Sequence, residues 1–160
     1  MECPSNPDVL MANAVLAFQG RNFARAQQLI DELLALGPAY PDAAALRARI
    51  ALEEGNAPFA ARFLEQQIQR TGDHAGLREV YASALFLMKR FTDAEEQLNI
   101  ADRLGAPHWR VLYGLGLIEE AQGHFAEARL RYQAALRERP GWAPAESRVK
   151  ALEASRRPNS

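Results

Sequence analysis

Cysteine is almost absent from these 160 residues: Cys3 is the only one, so no disulfide scaffold forms within the chain. The β-branched residues that strands favour are scarce as well, with five Val, five Ile and two Thr. That scarcity excludes a sheet-based fold. No apolar run reaches the length of a membrane-crossing helix. An excess of one charge is missing too: 19 basic residues stand against 20 acidic ones, for a net charge of −1. Nucleic-acid binding draws on a large basic excess, so nucleic acid is not an expected partner. The opening Met1-Glu2-Cys3-Pro4-Ser5-Asn6-Pro7 has neither the charged nor the apolar stretch of a signal peptide. As written, the chain is expected to be cytoplasmic. Were a leader to precede Cys3, that residue would be a lipoprotein acylation site and the location periplasmic or membrane-anchored.

What is abundant is helix-forming. Ala (30), Leu (20), Arg (17), Glu (14) and Gln (9) fill 90 of the 160 positions. These residues also repeat. Ala26, Ala60, Ala94 and Ala128 stand 34 apart. Other columns keep the same phase. Before those alanines lie the small residues Ala14, Ala48, Ala82 and Gly116, and then Phe23, Ala57, Phe91 and Phe125. After them lie Ile30, Leu64, Leu98 and Tyr132, and then Pro38, Gly72, Ala106 and Pro140, which stop helices directly or, at Ala106, through Pro107. Independent columns in one phase mark a structural repeat.

The chain resembles the tetratricopeptide repeat (TPR) family. The fourth unit carries the pattern best, in Leu112, Leu115, Gly116, Ala128, Tyr132 and Pro140, and departs from it at Glu119, where the family often has an aromatic. The second unit departs most, at Ala57, Gln67 and Gly72. The resemblance implies an all-α, right-handed superhelix. After an extension over 1–6 come four helix-turn-helix units at 7–40, 41–74, 75–108 and 109–142, a capping helix within 143–156, and a frayed tail over 157–160. Helices are expected at 8–19, 23–36, 42–54, 58–70, 76–88, 92–104, 109–122, 125–138 and 145–156. Turns fall at Gly20-Arg21-Asn22, Gly55-Asn56, Lys89-Arg90 and Gly123-His124. The small residues belong where paired helices cross, and the aromatic opening each second helix is expected to fill the space between neighbouring units.

Catalytic and metal-binding patterns are lacking. His74, His108 and His124 sit at turns, with no HxxxH or CxxC spacing to gather ligands. Glu53-Glu54, Glu95-Glu96 and Glu119-Glu120 are adjacent on helices, so the members of each pair point apart. No phosphate-binding glycine loop exists, since Gly114 and Gly116 lie inside a helix. The expectation is a non-enzymatic protein with no cofactor and no metal.

In the family the first helix of each unit lines a concave groove. That phase selects Met11, Val15, Phe18 and Gln19; Ala45, Arg49, Leu52 and Glu53; Glu79, Ser83, Phe86 and Leu87; and Tyr113, Leu117, Glu120 and Ala121. Two readings of these positions stay open. They are core facing the next unit, or an apolar groove for an amphipathic helix or extended segment of a partner protein. Arg49 is the one cation among them, so the Lys/Arg/Asn cluster with which some TPR co-chaperones grip a terminal carboxylate is missing. The implied function is a scaffold, adaptor or chaperone-like module binding a protein or peptide. The alternative is a structural subunit of a bacterial envelope, pilus or secretion assembly, anchored through Cys3. The first helix reads Val9-Leu10-Met11-Ala12-Asn13-Ala14-Val15-Leu16-Ala17-Phe18, apolar on every side. Its outer face is expected to be covered by a second copy, by a partner or by Cys3–Pro7 folding back.

Overall fold

The computed structural model describes residues 6–37 and 40–155. Cys3, Pro38 and the tail 157–160 lie outside the described residues. Those described form nine helices and no strand: α1 Pro7–Gln19, α2 Phe23–Ala35, α3 Pro41–Glu53, α4 Ala57–Thr71, α5 Ala75–Leu87, α6 Phe91–Arg103, α7 His108–Ala121, α8 Phe125–Glu138 and α9 Ala143–Ala154.

Most helices start one residue before the expected point, and α9 starts two before. Part of the reason is proline, which suits the first helical turn, where an N–H has no partner to lose. Pro7, Pro41, Pro58 and Pro144 all occupy that turn. Three helices are capped by asparagine. The side-chain oxygens of Asn6, Asn22 and Asn56 accept from the backbone N–H of Asp8 (2.9 Å), Arg25 (3.1 Å) and Phe59 (3.2 Å). Each such cap contributes about 1 kcal/mol.

The turn inside each unit repeats to the residue. Arg21, Gly55, Lys89 and Gly123, 34 apart, have φ of 57°, 78°, 59° and 82°. The next residue closes the helix end with a bond five residues back. Asn22, Asn56, Arg90 and His124 donate to the carbonyls of Ala17, Ala51, Leu85 and Glu119 at 2.8–2.9 Å. Glycine takes this left-handed conformation without strain at two of the turns, and Arg21 and Lys89 carry it at a cost.

Each helix packs on the next in sequence, and the first helices of the units, α1, α3, α5 and α7, also touch one another in succession. The second helices make no comparable contacts among the described residues. The layer of first helices is therefore the tighter one, and the stack curves toward it. Both crossing columns are buried: Ala14, Ala48, Ala82 and Gly116 on the first helices, and Ala26, Ala60, Ala94 and Ala128 on the second. The fourth crossing has room for glycine alone, since a Cβ on Gly116 would lie 2.5 Å from Tyr132 Cε1.

The aromatic column is uneven, and it departs from expectation at Phe125. Phe23 and Phe91 meet the ring that ends the preceding helix of their own unit, Phe18 and Phe86, with centroids 5.8 Å apart in both pairs. Phe125 has Glu120 where those phenylalanines stand, and it is 57% exposed. Beyond α8, Ala145 and Leu152 bury one face of α9, while Lys150 stands exposed in the column of small crossing residues. The helix thus has one apolar side and one polar side, as a cap requires.

Candidate functional site

The first helices present two adjoining depressions that share a floor. One, of about 250 Å³, lies between α5 and α7 and is walled by Phe86, Leu87, Leu117 and Ile118. The other, of about 300 Å³, extends toward α3 and is reached by Arg49, Leu52, Glu79, Tyr113 and Trp142. Ser83, Leu98, Gly114 and Leu117 border both. Gly114 makes the floor low. A Cβ there would lie 2.9 Å from Leu98 Cδ1, so the missing side chain lets this α6 leucine reach the groove between the first helices. Glycine inside a helix costs about 1 kcal/mol relative to alanine. The lining is chiefly apolar, and Leu87 is 55% exposed.

The charges of this surface are mostly paired. Arg110 binds Glu79 through two parallel bonds, Nε to Oε1 at 2.9 Å and Nη2 to Oε2 at 2.8 Å. Arg21 meets Glu53 at 3.4 Å. Glu120 accepts the Tyr132 hydroxyl at 2.7 Å and the Arg148 guanidinium of α9 at 3.1 Å. Burial, and then the bond to Glu120, push the Tyr132 phenol well above its ordinary range. At the C-terminal end Trp142 contacts both Trp109 and Tyr113 edge-on, with centroids 4.6 and 4.7 Å away. The Arg139 guanidinium lies 4.3 Å from the Trp109 centroid.

The structure distributes the sequence-selected positions unevenly. Arg49, Leu52, Glu79, Ser83, Phe86, Leu87, Tyr113 and Leu117 come together around the two depressions. Met11 borders a separate hollow with Pro7, Leu33 and Tyr40. Val15 and Phe18 are half-buried against the core of α1, α2 and α3. Ala45 is buried in the core and offers no surface, because α3 is packed on both sides. Glu120 faces Tyr132 and Arg148. Gln19, Glu53 and Ala121 are exposed at the helix ends. Sequence reasoning missed Leu98, Gly114, Arg110 and Trp142. A glycine at Gly114, off the crossing column and against helix propensity, was the one legible signal.

The three histidines bring no ligand set together. His108 Nδ1 meets Asp102 at 2.8 Å, and His124 Nδ1 meets Glu119 at 2.8 Å. His74 is half-buried at the start of α5. Among the described residues no three His, Cys, Asp or Glu side chains gather as a metal site would require, and no helix is long and apolar enough to cross a membrane.

Paired antiparallel helices on a 34-residue beat, with small residues at every crossing and a curved inner layer, define a helical-repeat solenoid. The tetratricopeptide repeat pattern matches residues 11–73 and 82–142, and the chain belongs to that family. No curated protein matches the sequence. Solved structures match the fold. PilF of Pseudomonas aeruginosa aligns with a TM-score of 0.80 at 21% identity, over 93% of this chain and 68% of that one. A thermophilic TPR protein from Thermus thermophilus gives 0.84 at 18% identity, over 96% and 84% of the two chains. The second TPR domain of human RPAP3, solved with an HSP70 peptide, gives 0.62 at 20% identity, over 73% and 98%. Identities this low establish shared architecture and nothing about ligands. The fold is that of a protein–protein interaction scaffold, a class that is generally non-enzymatic.

Proposed function

We propose that the chain is a non-enzymatic adaptor that holds a peptide or helical segment of a partner protein in the groove formed by α3, α5 and α7. The observation that carries this is the continuous apolar surface over Leu98 and Gly114. It is open to solvent, walled by Phe86, Leu87 and Leu117, and bordered by the paired Arg110 and Glu79 and by Arg49. Burying such a surface gives affinity, and the rim fixes orientation. The peptide held by the RPAP3 domain shows that this architecture accommodates one, and here that supports the reading by analogy. A structural-subunit role anchored through Cys3 gains no support from the described residues.

The test is a Leu87→Glu variant. Leu87 is more than half exposed, so its helical circular-dichroism signal and melting temperature stay near those of the parent, while binding of a groove ligand is lost. Phe86 is a poorer probe because it also packs on Phe91. Partner binding unchanged by Leu87→Glu would place the interaction elsewhere on the molecule.

A further inference from the structure

Among the described residues, the groove carries one cation without a local counter-charge. Glu79 is held by Arg110, Glu53 by Arg21, and Glu120 by Arg148 and Tyr132. Arg49 is exposed on α3, and among the described residues no carboxylate lies within salt-bridge distance of it. It borders the same depression as Leu52, Gly114 and Leu117. A bound segment that covered Arg49 without a carboxylate would strip water from a charge and leave it unpaired, which is costly. One that supplied a carboxylate would gain a charge-assisted hydrogen bond in partly desolvated surroundings. Beside it, the floor at Gly114 leaves room for a bulky apolar side chain to rest on Leu98 between Leu87 and Leu117.

We propose that the segment seated in this groove is acidic and apolar, with an Asp or Glu on Arg49 and, within one helical turn, a Leu, Met or Phe over Gly114. The assignment rests on the groove reading above and adds the chemistry of its occupant. Charge complementarity makes the choice: a basic or purely apolar segment leaves Arg49 repelled or unpaired.

The experiment is a selection of displayed random dodecapeptides on the immobilised full chain, run in parallel on Leu87→Glu, Arg49→Glu and Gly114→Ala. On the parent chain, enriched sequences carry an acidic residue within a turn of Leu, Met or Phe. On Arg49→Glu the acidic position becomes Lys or Arg, and on Gly114→Ala the apolar residue becomes smaller. A synthetic copy of the strongest peptide, followed by tryptophan emission, loses about tenfold in affinity when its carboxylate is changed to the amide, the equivalent of about 1.4 kcal/mol. On Arg49→Ala that change has no effect. Enrichment that Leu87→Glu abolishes, with the acidic preference absent from the parent or retained on Arg49→Glu, overturns the acidic occupant and leaves the groove standing. No enrichment on the parent, or enrichment that survives Leu87→Glu, overturns the groove itself.

Discussion

At three of the four helix crossings an alanine shares its core cluster with an aliphatic side chain: Ala14 with Ile30, Ala48 with Leu64, Ala82 with Leu98. At the fourth, Gly116 faces Tyr132. The sums of side-chain size are close, because the larger ring is met by the smaller residue. The exchange has consequences beyond volume. A buried phenol needs a hydrogen-bond partner, and Glu120 supplies it at 2.7 Å. Glu120 stands where the other units carry Phe18, Leu52 and Phe86. The unit therefore loses the ring that Phe125 would have met, and Phe125 is left exposed. The other Glu120 oxygen takes Arg148, which ties α9 to the fourth unit. One change from leucine to tyrosine in a repeat column thus accompanies a glycine, a carboxylate, an arginine and an unpartnered phenylalanine.

The strongest way to break the comparison is to crowd a crossing from the side that all four share. Ala128 is fully buried beside Tyr132. Ala128→Leu is expected to cost about 3 kcal/mol, the upper end for overpacking a close-packed site. Ala126→Leu, two residues away and exposed, is the control. Equal melting temperatures for the two variants would mean that the crossing is not where the repeat phase puts it.

Next in size is the size match itself. Gly116→Ala is expected to cost about 2 kcal/mol, because the new Cβ meets ring atoms at 2.5, 2.8 and 3.1 Å. Gly114→Ala, two residues earlier on the same helix, meets only the side-chain end of Leu98, which can rotate, and gains helix propensity. It is expected to leave stability nearly unchanged. Combining Gly116→Ala with Tyr132→Leu rebuilds the alanine–aliphatic pair of the other crossings and recovers most of the loss. Additive single effects in that double-mutant cycle would remove the coupling on which the comparison rests.

The phenol sharpens the comparison through pH. Its folded-state pKa lies above the ordinary tyrosine value of 10.0, by burial first and by Glu120 second. A raised pKa means that the neutral form is the one the fold accommodates. The associated stability is fully present below pH 10 and is lost as pH rises further. Tyr132→Phe is expected to lower neutral-pH stability by about 1 kcal/mol through the lost bond, and to flatten the decline in stability above pH 10. Parallel alkaline unfolding curves for the two proteins would refute the assignment.

The fold was legible because its determinants are local and periodic. Helix, turn and crossing positions recur every 34 residues, and Asn, Gly and Pro mark the ends. The groove was legible only in part. Its Arg110–Glu79 pair joins residues 31 apart, and no short-range pattern announces such partners. Periodicity places Met11, Val15 and Ala45 in the same columns as Glu79, Ser83 and Tyr113. Which of them is open depends on how closely neighbouring units approach, and that follows from side-chain volume along the whole stack. Trp142 enters the groove from the last position of the fourth unit, where the earlier units carry Tyr40, His74 and His108, and a column of such unlike residues does not single it out.

The N-terminal end offers the smallest and sharpest contrast with the C-terminal cap. On α1, Leu10 and Ala14 are buried, while Val9 and Leu16 are 55% and 64% exposed, with Ala12 and Asn13 exposed between them. The apolar outer face that the sequence implies is exposed among the described residues, Cys3 and its neighbours lying outside them, whereas α9 presents Lys150, Glu153 and Arg148 to solvent. Leu16→Gln removes apolar surface that folding does not bury, so in an isolated chain it is expected to shift stability by less than about 0.5 kcal/mol. Leu16→Glu adds only a small penalty, because a carboxylate in the last helical turn opposes the helix dipole by about 0.3–1 kcal/mol. Thermal unfolding beside light scattering reads both effects. Small shifts at unchanged mass mean that this face stays open. A loss of more than about 2 kcal/mol, or a fall in mass on Leu16→Glu, means that something covers it, and a change in mass identifies the cover as a second copy.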